Sequence, residues 1–89
     1  MLICKVIGNV VATKKEPKFE GWKILVVQPV DIDGKPYGTS FETIDNVQAG
    51  VGDLVLVTVQ GSSARDALGD MRMPIDSVIV AVIDQIQLD

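Results

Sequence analysis

Five apolar, β-branched stretches, connections rich in Gly, Asp and Pro, and a single short helical stretch predict a mainly β chain. The architecture they match is a small five-stranded OB-like β-barrel with one short α-helix. At 89 residues there is room for one domain and one modest core, so residues 1–89 are read as a single unit.

Leu2 to Thr13, rich in Ile and Val, reads as a long first strand that bends or bulges at Gly8. Lys14 to Gly21 is polar, holds Pro17 and reads as a loop. Trp22 to Val30 is the second strand, with Pro29 marking a sheet edge or a bend. Asp31-Ile32-Asp33-Gly34-Lys35-Pro36 is a turn, since Asp-Gly supplies the positive φ that tight hairpins need. Tyr37 to Ile44 returns as a shorter strand, alternating Phe41 and Thr43 against Glu42 and Ile44. Asp45 to Asp53, with Gly50 and Gly52, connects to the short apolar strand Leu54 to Gln60.

The helix is expected over Ser62 to Gly69. Ser63 fits an N-cap with Asp66 three residues on, Ala64, Ala67 and Leu68 favour helix, and Gly69 fits the stop. Asp70 to Pro74 is irregular, and Ser77 to Leu88 closes the chain as a long strand.

Composition narrows the function classes. Apolar residues are 47% of the chain, which makes it globular, and with only two Phe and one Trp some apolar surface is expected between subunits. The net charge of −4 leaves few cations to neutralise phosphate, so neither nucleic acid nor an anionic membrane is the expected partner. Cys4 is the one cysteine and reads as a small core filler; no intrachain disulfide can form, which fits the cytoplasm. Lys5 and Asn9 interrupt the opening apolar run, so it does not read as a signal peptide.

Candidate chemistry fails for want of partners. Gly61-Ser62-Ser63 follows a buried strand as a nucleophile would, yet the chain has no histidine to act as base. Asp31-x-Asp33-Gly34 has its glycine too early for a calcium loop, and Gly50-x-Gly52-Asp53 lacks the third glycine of a dinucleotide fingerprint. One cysteine and no histidine give zinc and iron no ligand set. No catalytic residue, cofactor or metal is expected. Lys14, Lys15 and Lys18 beside Phe19 and Trp22 carry the alternative reading, an OB-fold module for oligonucleotide or oligosaccharide, although Glu16 and Glu20 interrupt it.

What stands out is Gly61-Ser62-Ser63-Ala64-Arg65, a compact turn of small residues with one fixed positive charge, suited to a place where copies converge near a symmetry axis. Arg65 at the start of a helix opposes the helix dipole and calls for a carboxylate partner, for which Asp45 of a neighbouring subunit is the candidate.

Together these motifs resemble the EutN/CcmL family of bacterial microcompartment vertex proteins over nearly the whole chain. The resemblance rests on Gly21-x-Lys23-x-Leu25-Val26-Val27-Gln28, on Asp45-x-Val47-x-Ala49-Gly50-x-Gly52-Asp53, on Gly61-Ser62-Ser63-Ala64-Arg65, and on Pro74-x-Asp76 leading into Val80-Ala81-Val82-Ile83-Asp84. Gln48 stands where the family frequently has glycine, and the chain stops at Asp89, without the longer tail of some carboxysomal members. The resemblance implies a non-catalytic homopentamer that fills the vertices of a polyhedral shell, beside hexameric facet proteins, in the cytoplasm. It places Gly61, Ser62, Ser63 and Ala64 near the five-fold axis and Arg65 in a subunit interface.

Overall fold

The computed structural model describes residues 1–11, 21–59 and 77–88. Five strands occupy them: β1 (Leu2–Asn9), β2 (Lys23–Pro29), β3 (Phe41–Asp45), β4 (Leu54–Val59) and β5 (Ser77–Val82). They close into a barrel in the order β1-β2-β3-β5-β4, with β4 returning to β1. Every pairing is antiparallel except β3 with β5, which run parallel through Ile44–Val78 and Asp45–Ile79. The expected helix over Ser62 to Gly69 and the irregular stretch Asp70 to Pro74 lie outside the described residues.

Alternation decides what fills the barrel. Cys4, Val6, Leu25, Val27, Val55, Val57 and Ile79 point inward and are at most 1% exposed, with Ala49 sealing one end. Fully burying each of the larger aliphatic side chains contributes about 1.5–3 kcal/mol relative to exposure. β3 departs from simple alternation, because Thr43 is buried inward and Ile44, on the opposite face, is buried too. Ile44 packs outside the barrel wall with Val78, Trp22 and Val80.

Three strand ends differ from expectation, each for a local reason. β1 bulges between Val6 and Gly8 as expected, but strand structure ends at Asn9, with Val10 N–H still donating to Ile24 C=O at 2.9 Å. Tyr37 to Ser40 is irregular: Gly38 sits at φ 67°, and Gln28 Nε2 donates to Tyr37 C=O at 2.9 Å, holding this stretch as a loop. β5 ends at Val82, because Ile83 N–H donates to the carbonyl of Leu54, where β4 begins, and no ladder partner follows.

Gln48 is the one non-glycine residue with positive φ among those described, at 62°. A side chain in the left-handed region costs roughly 1–2 kcal/mol, while glycine there loses about 0.5–1 kcal/mol to unfolded-state entropy. Gln48→Gly is therefore expected to stabilise the fold by about 0.5–1 kcal/mol. A rise in the denaturation midpoint at unchanged m-value would show it.

Candidate functional site

Of the residues that the sequence assigns to the five-fold axis and subunit interface, Gly61, Ser62, Ser63, Ala64 and Arg65 lie outside the described residues, and Asp45 lies within them. Asp45 is the last residue of β3, paired across the sheet with Lys23 of β2 and with Ile79 of β5. Its side chain is 1% exposed.

The carboxylate is engaged inside its own chain. Oδ1 accepts a hydrogen bond from Val47 N–H at 2.9 Å, and Oδ2 lies 3.3 Å from the ammonium of Lys23. That contact is ionic, since Oδ2 accepts no hydrogen bond from the described residues. Lys23 Nζ also donates to Ala49 C=O at 2.6 Å while its side chain remains half exposed. One cation thus ties β2, the end of β3 and the connection after it into a single corner. Any partner for Arg65 at Asp45 has to share a carboxylate that Lys23 already neutralises.

The next turn of the same connection clasps the β1 bulge. Gly52 N–H donates to Val6 C=O at 2.8 Å, and Val6 N–H donates to Asp53 C=O at 2.9 Å. Asp53 Oδ2 accepts from Gly50 N–H at 2.8 Å, and Gly52 adopts φ 96°, which a side chain would strain. These bonds give the glycines and Asp53 a turn role. Asp31 is spent in the same way: its Oδ1 accepts from the N–H groups of Asp33 and Lys35, both at 2.9 Å.

Sequence reasoning missed Lys23 as the partner of Asp45. Both residues stand in the resembling motifs, but their pairing depends on the register between β2 and β3, which spacing along the chain does not encode. The basic residues of the alternative reading, Lys14, Lys15 and Lys18, and Phe19 lie outside the described residues. Trp22 is half-buried against the Ile44–Val78 cluster, a position set by packing. Among the described residues no group of three or more His, Cys, Asp or Glu side chains is placed to hold a metal, and no helix is long and apolar enough to cross a membrane.

Cys4 is fully buried, and loss of solvation raises its thiol from 9.0 to about 11. A nucleophilic thiol needs the opposite environment.

A closed five-stranded barrel whose β3–β4 connection is fastened to β1 and β2 defines a compact structural module. Residues 1–84 match the family described as ethanolamine utilisation protein EutN/carboxysome, and the chain belongs to that family. The carboxysome shell vertex protein CcmL of Nostoc is 41% identical over 90 residues, covering 100% of this chain and 88% of the relative. The microcompartment shell vertex protein EutN of Escherichia coli is 35% identical, covering 97% and 90%. The solved structure of GrpN, a pentameric microcompartment shell protein from Rhodospirillum rubrum, superposes with a TM-score of 0.84 at 36% identity and covers 100% of both chains.

Two predictions follow from this geometry. Lys23→Met strands the Asp45 carboxylate and should cost about 1–3 kcal/mol, less than the loss of a fully buried partner because the ammonium is half in water. Adding Asp45→Asn should recover more than half of that loss in a double-mutant cycle; equal single and double losses would show that the charge is not the cause. The second concerns pH. Between pH 9 and 11 the unfolded Cys4 thiol releases its proton while the folded one retains it, so stability falls as pH rises through that window. Cys4→Ala should remove this part of the alkaline decline, read as the difference between the two stability–pH curves.

Proposed function

We propose that this chain is a structural, non-catalytic subunit that assembles into a homopentamer and fills the vertices of a bacterial microcompartment shell. The observation that carries the reading is the end-to-end superposition on the pentameric shell protein GrpN, with no part of either chain left over. Vertex names on both carboxysome and other microcompartment relatives support the placement in a shell. The whole chain, residues 1–89, serves as one vertex domain within the shell in the cytoplasm. Its neighbours in the shell are hexameric facet proteins, and its net charge of −4 disfavours nucleic acid and anionic membrane as partners.

A ring of five is heterologous: one surface of each subunit meets a different surface of the next until the rotation closes. Small side chains suit the axis, where copies converge, and Gly61, Ser62, Ser63 and Ala64 are assigned there. Arg65 is assigned to the interface, with Asp45 as its carboxylate partner alongside Lys23.

Native mass spectrometry at micromolar concentration should show a particle of about 48 kDa, five copies of a 9.6 kDa chain. A monomer or dimer alone would overturn the reading. In the same measurement Arg65→Ala should shift dissociation to higher protein concentration more than Lys18→Ala does; equal shifts would remove Arg65 from the interface.

A further inference from the structure

Two side-chain oxygens on β3 are buried and have no hydrogen-bond partner among the described residues: Thr43 Oγ1 and Asp45 Oδ2. Thr43 is 0% exposed and the Asp45 side chain 1%. Buried polar atoms are nearly always partnered, because an unmet oxygen forfeits the hydrogen bonds it made in water. Two such atoms so close in the chain call for one explanation.

Strand geometry brings them together. Thr43 and Asp45 are two positions apart on β3, so alternation sets both side chains on one face. Their neighbours across the ladder, Leu25 and Lys23, share that face. Cα atoms two positions apart on a strand are separated by ~7 Å. A water making two hydrogen bonds of about 2.8 Å joins oxygens up to about 5.5 Å apart, so one molecule can reach both.

The chemistry of this corner selects the occupant. Asp45 Oδ2 needs a donor, and the Thr43 hydroxyl can donate or accept. A second cation would meet the ammonium of Lys23, already 3.3 Å from Oδ2. An apolar group would satisfy neither oxygen. What suits both is a small neutral molecule with donors and acceptors, and the half-exposed Lys23 side chain sets the corner next to solvent.

We propose that one ordered water bridges Thr43 Oγ1 and Asp45 Oδ2 in each subunit. Together with Val47 N–H on Oδ1 and the Lys23 ammonium beside Oδ2, it completes the surroundings of the buried carboxylate. The site belongs to the subunit alone and does not depend on assembly into a ring.

Oxygen-17 relaxation dispersion of water, measured on the full chain, counts long-lived buried waters, and Thr43→Val should remove one per subunit. Without a bridging water, that substitution exchanges an unpartnered hydroxyl for a methyl group of the same shape, which leaves stability unchanged or raised. With the water, Oδ2 loses its donor, and the unfolding equilibrium constant in urea should rise at least about fivefold. An unchanged dispersion amplitude, or a Thr43→Val chain as stable as the unmodified one, overturns the proposal. A crystal structure of the unmodified chain checks it without a substitution. A water within hydrogen-bond distance of both oxygens is expected there; a protein donor on either oxygen, from the same chain or a neighbouring copy, overturns it.

Discussion

The barrel closes through two residue pairs, Ile44 with Val78 and Asp45 with Ile79, and the rest of the structure depends on that narrow parallel seam. Four antiparallel ladders form the remainder of the wall. Without the seam they would make a curved but open sheet, with its apolar face in water. The seam is short, so its surroundings reinforce it from both faces. Ile79 seals it within the barrel, and Ile44 and Val78 pack beneath Trp22 and Val80 outside. Ser77 Oγ adds a hydrogen bond to Glu42 C=O at 3.1 Å, one step before the ladder begins. Lys23 then anchors the far end by holding the Asp45 carboxylate and the Ala49 carbonyl together. A half-exposed lysine is inexpensive to solvate on one side while it neutralises a buried charge on the other, which makes it well suited to that corner.

Much of this was legible in the chain because it depends on local rules. The β-branched runs, the Gly8 bulge, the Asp31–Lys35 turn and the Gly50–Asp53 turn all follow from backbone preferences that each residue carries with it. Strand ends were less legible, since they depend on where a partner runs out. Nothing in Ile83 to Leu88 announces that β4 begins only at Leu54, yet that is what ends β5. The Lys23–Asp45 pair lies in the same category: two charged residues 22 positions apart become neighbours only once the β2–β3 register is set. Gln48 is a further instance. The motif around it pointed to glycine, and the backbone keeps the left-handed angle although the residue is different. As to the interface, Asp45 is the one assigned residue that can be placed, and its carboxylate is buried beside the half-exposed Lys23.

A shell vertex asks for a subunit that keeps its shape while its surfaces are occupied by unlike neighbours. The clasp between the β3–β4 connection and the β1 bulge serves that demand. It fixes a nine-residue excursion, Asp45 to Asp53, against two strands by backbone hydrogen bonds and one ion pair. The surface carried there, including exposed Ile7 and Val51, is thus presented at a set angle. In a heterologous ring the angle between the two contact surfaces determines the number of copies, so rigidity within a subunit bears directly on how many copies close the circle.

Closure of the sheet has one more consequence. A β protein with a free end strand can recruit copies by extending its sheet, and such growth has no natural stopping point. Among the described residues β1 and β4 complete the circuit, and the barrel they close has no end strand to lend. The wall that encloses the core of one subunit therefore also removes sheet extension as a route to growth, which favours a closed assembly over a fibre.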